Sequence, residues 1–166
     1  MPEGVSKFKH IAVAPHPEIP VAVEETDHIV SFLSEQGLRV TSGLLYDESL
    51  RQQIVDGVFD LLIALGGDGT MLRAGHLCGP YDVPILGINM GSFGFLMEIR
   101  QEGWREALEG LLQGNYWLEK RMMLSAIQTR GDKTLGQWDV VNEAVISRGG
   151  YVRPVHQVDH GLSRIR

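Results

Sequence analysis

The chain has 166 residues, 43% of them hydrophobic, a formal net charge of −6 and one cysteine. That supplies the core of one good-sized domain, or of one domain with part of another. The acidic balance argues against a general nucleic-acid or anionic-membrane binder. The single Cys78 leaves no intramolecular disulfide and no cysteine-based zinc site, and reads as a small core residue. No apolar run approaches the ~20 residues of a membrane span. Residues 1–9 lack the long apolar stretch of a signal peptide, so a soluble cytoplasmic protein is the expectation.

Strand and helix signals alternate through the first part of the chain. Ile11 to Ala14 reads as a short strand closed by Pro15. Pro20 suits a first helical turn, Ala22, Ile29, Val30 and Leu33 recur at helical spacing, and Gly37 suits the cap. A strand over Leu38–Thr41, a helix over Glu48–Gly57 and a strand over Leu61–Leu65 follow. A helix over Met71–Cys78, a strand over Val83–Ile88 and a helix over Gln101–Leu112 complete the series. Apolar strands without alternation predict an α/β fold: a Rossmann-like parallel sheet with helices on both faces. The pattern changes near residue 115. Trp117–Lys120, Met122–Thr129 and Trp138–Ser147 predict three antiparallel strands, the last two joined by a loop containing Gly131, Asp132 and Gly136. The expected domains are therefore 1–115, α/β, and 116–166, the start of an all-β domain.

Gly66-Gly67-Asp68-Gly69-Thr70 stands at the junction of an apolar strand and a helix. Glycines there let a phosphate-bearing ligand lie against the backbone, and the helix aims free N–H groups at it. Asp68 is the unusual member, because a carboxylate repels phosphate. It makes sense if it takes a proton from an attacking hydroxyl or helps hold Mg²⁺ between phosphates. The bland alternative is an ordinary tight turn, since Gly and Asp both favour turns. Position favours the ligand reading: open α/β sheets bind ligands just past the carboxyl ends of their strands.

Two more segments carry information. Gly87 to Phe95 runs from a strand end into a loop with Gly91 and Gly94, where Phe95 either stacks on a ligand or packs in the core. Val141 to Ile146 places the polar pair Asn142-Glu143 inside an apolar strand. An amide can read a base edge and a carboxylate can accept both hydroxyls of a ribose; alternatively both are solvated on an edge strand. The six histidines are scattered, and His156 and His160, four apart, lack a helical pattern that would make them a metal pair.

Together these segments resemble the NAD kinase family. The family signature Gly-Gly-Asp-Gly-Thr, an apolar pair and Arg is matched at residues 66–73. A Val-Pro strand ending Gly-Ile-Asn is matched at Val83–Asn89, the Gly-Phe segment at Gly94-Phe95 and the Asn-Glu pair at Asn142-Glu143. The resemblance covers roughly residues 8–156. It implies transfer of the γ-phosphoryl of ATP, or in some members polyphosphate, to the 2′-hydroxyl of the adenosine ribose of NAD, giving NADP. It implies Asp68 as the proton acceptor, Gly66, Gly67, Gly69 and Thr70 against the ligand, and Arg73 facing its phosphates. Asn142 and Glu143 would hold the adenosine, with Phe95 near the adenine and Arg153 as a further contact. Mg²⁺ or another divalent cation would come with ATP, and a homo-oligomer is the family habit.

Family members continue through a larger β domain with a Gly-Ser-Thr turn that this sequence does not contain, so weak or absent activity is the expectation for the chain by itself. Two other classes share parts of the pattern. Diacylglycerol and sphingosine kinases and phosphofructokinases resemble it at Gly-Gly-Asp-Gly, but the Asn142-Glu143 pair and the 83–95 segment favour NAD kinase. A nucleotide-binding module without catalysis is the other alternative.

Overall fold

Two strands dominate the interior, and their sequences explain why. β1 (His10–Pro15) and β3 (Leu61–Gly66) are buried at every position. Helices cover both faces, so neither strand shows polar alternation. The computed structural model describes residues 7–91, 94–97 and 99–141. Around these strands it sets α1 (Pro20–Glu35), β2 (Arg39–Ser42), α2 (Glu48–Val55), α3 (Asp68–Cys78), β4 (Ile85–Asn89), β5 (Ile99–Arg100) and α4 (Trp104–Leu112). Short 3₁₀ turns lie at Gly79–Tyr81 and Gln101–Gly103.

The sheet is five-stranded and parallel throughout, in the order β2-β1-β3-β4-β5. The order reverses direction between β1 and β3, which makes their carboxyl ends the switch point of a doubly wound sheet. The period-two geometry of a strand sorts side chains onto two faces. Ile11, Val13, Leu61, Ile63 and Leu65 pack with Ile29, Phe32 and Leu33 of α1 and Trp104, Leu108 and Leu111 of α4. Ala12, Ala14, Leu62 and Ala64 pack with Leu50 and Ile54 of α2 and Ala74 and Cys78 of α3. Gly37 ends α1 with φ +81°, a conformation that only glycine takes without strain.

The sheet and its helices lie within one compact unit, Met1–Arg121; the second unit is Met122–Arg166. The change expected near residue 115 marks the end of α4, but the segment that follows stays with the first unit. Tyr116 packs against its core and meets the Phe8 ring at 5.5 Å between centroids. The strand expected at Trp117–Lys120 does not form. That segment has no regular structure, and Trp117 and Leu118 are exposed.

In the second unit β6 (Leu124–Arg130) and β7 (Lys133–Val140) form an antiparallel hairpin. β7 starts at Lys133 rather than at Trp138. The turn is only Gly131-Asp132, with Gly131 at φ +58°, the left-handed first position of a type II′ turn. Gly136 lies inside the strand, covered by the Trp138 ring. Leu135 is the extra residue of an irregularity between the pairs Gln128↔Gly136 and Thr129↔Thr134.

Candidate active site

The Gly-Gly-Asp-Gly-Thr turn lies at the switch point. β3 ends at Gly66, and Gly67 takes an extended conformation (φ −123°, ψ −169°) that caps α3. The Gly67 carbonyl accepts the amides of Thr70 and Met71 at 2.9 and 3.1 Å. The helix therefore begins at Asp68, three residues before the start expected at Met71. Glycine's poor helix propensity hid this first turn. The amides of Asp68 and Gly69 precede the first intrahelical bond, so they are the free donors of the helix start.

The glycines divide into two kinds. A Cβ on Gly66 would run into the Thr70 hydroxyl and lie 3.2 Å from the Cβ of His16, so Gly66 is a packing requirement. A Cβ on Gly67 or Gly69 would meet nothing within 4 Å. These two keep open space over the helix start, as a cradle for a ligand requires.

Asp68 is tied to a second segment. One carboxylate oxygen accepts the amide of Phe95 at 2.8 Å and the other accepts the amide of Leu96 at 3.0 Å. A Cβ on Gly94 would collide with the carboxylate. The segment is anchored on its other side by buried Met97, which with Met71 fills the space over Gly87. Phe95 itself is 98% exposed, so it is not a core residue, and its ring is open to stacking.

Beside the motif runs an open groove of about 650 Å³ between the β1 end, α2 and α3. Arg73 lines it, together with Thr70, whose buried hydroxyl has no hydrogen-bond partner among the described residues. His16, Tyr46, Arg51, His76 and Tyr81 also line it, none of them evident as site residues from sequence. Only the strand order, which makes β1 and β3 neighbours, brings His16 to the motif. Asn142, Glu143 and Arg153 lie outside the described residues. Burial pushes the Cys78 thiol up to about 12, which removes it as a nucleophile. Among the described residues no three His, Cys, Asp or Glu side chains gather as a metal site.

The family profile for the ATP-NAD kinase N-terminal domain matches residues 19–116, more than half of the chain and inclusive of the whole motif. The chain belongs to the NAD kinase family. An NAD kinase of Natranaerobius thermophilus is 35% identical over 153 residues, covering 88% of this chain and 54% of that protein. The chain thus spans about half the length of the curated NAD kinases it matches. Two solved NAD kinase folds are similar in structure. Yeast NADH kinase complexed with NADH aligns with TM-score 0.61 and 18% identity over 81% of this chain and 47% of its own. An NAD kinase from Archaeoglobus fulgidus in complex with ATP aligns with TM-score 0.53 and 23% identity over 75% of this chain and 45% of its own. Both share the parallel-sheet fold. No helix among the described residues is long and apolar enough to cross a membrane.

Proposed function

We propose that this chain carries the phosphoryl-transfer motif of an enzyme that moves the γ-phosphoryl of ATP to the 2′-hydroxyl of the adenosine ribose of NAD, forming NADP. The observation that carries the reading is the placement of Asp68. Its carboxylate stands in the first turn of α3, past the carboxyl end of β3, beside two glycines with open space above them. Family membership and the nucleotide-bound neighbours support the choice of substrates.

Phosphoryl transfer asks a protein for positioning and charge stabilisation rather than covalent chemistry. The amides of Asp68 and Gly69 and the positive end of α3 would face phosphate oxygens. Arg73 would add a fixed positive charge. Asp68 would accept the proton of the 2′-hydroxyl as that oxygen attacks. Asn142 and Glu143 would hold the adenosine, with Arg153 as a further contact and Phe95 stacked on the adenine. The donor chemistry of the site fits a divalent ion carried by nucleotide phosphates, with Asp68 the carboxylate at the motif able to touch it. When bound, Mg²⁺ would neutralise phosphate charge.

One observation favours a second reading. Both oxygens of Asp68 accept loop amides, which suits a carboxylate that only anchors the 94–97 segment of a nucleotide-binding module. Asp68→Asn separates the two. It is tested in this chain if it turns over, and otherwise in one completed with a family C-terminal domain. As a general base, its loss lowers NADP formation by roughly 10²–10⁴-fold while NAD affinity changes little. An unchanged rate, or a loss that only follows a drop in melting temperature, removes Asp68 from the chemistry.

A further inference from the structure

The groove beside α2 and α3 differs in charge from the molecule around it. The chain carries a net charge of −6, yet Arg51 and Arg73 both line this groove, with His16 and His76, and no Asp or Glu is among the lining residues. Neither arginine is in an ion pair among the described residues. Two uncompensated guanidinium groups facing one concavity suit a multiply charged anion, because the planar fork matches phosphate oxygens. Two further observations point to a ligand. Thr70 is 3% exposed and its hydroxyl has no hydrogen-bond partner among the described residues, an arrangement that costs stability. Tyr46 and Tyr81, which line the same groove, are 61% and 43% exposed. The volume of about 650 Å³ falls inside the range of small-molecule sites.

We propose that this groove seats the phosphoryl donor: Arg51 and Arg73 hold a linear triphosphate chain, and Tyr46 or Tyr81 stacks on the base when the donor is a nucleotide. This rests on the kinase reading above and extends it by giving the donor a site of its own, with Arg51 as a residue that the motif does not predict. The groove opens beside α3, whose first turn carries Asp68, so a phosphate chain along it would reach the motif from the side of α2.

The test is calorimetric titration of the 166-residue chain with ATP, inorganic tripolyphosphate and NAD separately. Arg51 is exposed, so Arg51→Gln removes charge without disturbing the core. The expected result is a loss of roughly tenfold or more in affinity for both ATP and tripolyphosphate, with NAD affinity within about twofold of the parent. Tyr46→Ala and Tyr81→Ala separate the two sources of phosphate: one or both weaken ATP and leave tripolyphosphate unchanged. No tripolyphosphate binding by the parent, or equal affinities in parent and Arg51→Gln, overturns the donor site; intact NAD binding in that case leaves the acceptor reading standing. Arg51-dependent tripolyphosphate binding upholds the groove; absence of NAD binding in a chain completed with a family C-terminal domain would then sink the acceptor reading instead.

Discussion

Alanine at Gly66 and at Gly69 should have opposite effects, although both glycines belong to one motif. At Gly66 the new methyl has to displace Thr70 and His16, an overpacking that costs about 1–3 kcal/mol. At Gly69 it enters open space on a helix, where replacing glycine by alanine gains roughly 0.5–1 kcal/mol. Thermal melts should therefore move down for Gly66→Ala and up for Gly69→Ala, while nucleotide titration shows Gly69→Ala binding more weakly. Parent-like binding by Gly69→Ala would reduce that glycine to a turn residue. Gly94→Ala tests the tie between the loop and the motif. Its methyl would occupy the place of the Asp68 carboxylate, so amide-exchange protection at Phe95 and Leu96 should fall. Sequence reading found Asp68, Gly94 and Phe95 but gave no sign that they meet, because residues 68 and 95 are neighbours only through the pairing of β3 with β4.

At the scale of elements, α1 and α4 are joined by polar contacts as well as by core packing. Trp104 Nε1 donates to Glu25 at 2.9 Å, Gln101 donates to the other carboxylate oxygen at 3.2 Å, and the Arg105 guanidinium lies 4.9 Å from the Phe32 ring centre. Trp104→Phe keeps a ring against Phe32 and removes the donor, which should lower unfolding free energy by roughly 1–3 kcal/mol in urea titration. A loss below experimental error would show that Glu25 finds water instead. The elements were legible where hydrophobic pattern alone defines them. β1 and β3 are unbroken apolar runs, and Pro20 and Gly37 bracket α1. They were illegible where contact decides. β5 has two residues, too few for a pattern. The start of β7 was hidden because Gly136 reads as a turn residue until Trp138 is seen to cover it. Trp117–Lys120 reads as a strand but has no strand to pair with among the described residues.

Across the whole molecule, three titrating groups push stability in the same direction with pH. Burial and the nearby Arg39 hold His10 below its usual 6.5, as it hydrogen-bonds Thr41. Burial would raise Glu25 and Asp60, but hydrogen bonds outweigh it: Gln101, His28 and Trp104 hold Glu25 below 4.5, and the amides of His10 and Lys9 hold Asp60 below 3.8. Each group binds fewer protons folded than unfolded, so each contributes stability above its unfolded pKa that is lost as pH falls toward the folded one. Unfolding free energy measured across pH 8 to 3 should therefore begin to decline near pH 6.5 and fall further below pH 4.5. His10→Gln should remove the first decline and keep the second. The site was less legible than the fold for one reason: a groove at a switch point belongs to strand order, and strand order is set by which strands lie side by side.

That order also fixes a sequence of events during synthesis. β1 leaves the ribosome first, yet both of its neighbours, β2 and β3, are encoded after it, and its pairing with β3 runs from Ile11↔Leu61 to Pro15↔Leu65. Until residue 65 has emerged, the fully buried strand β1 lacks one of its two partners. A nascent chain of this kind exposes apolar surface and unpaired strand edges, the features that chaperones recognise. Arrested chains ending shortly before residue 61 should be cleaved by protease within residues 10–15, and chains long enough to free α3 and β4 should be protected there. Equal protection at both lengths would mean that β1 and β2 with α1 already close a stable unit, and that one side of the sheet is built before its central strand β3 arrives.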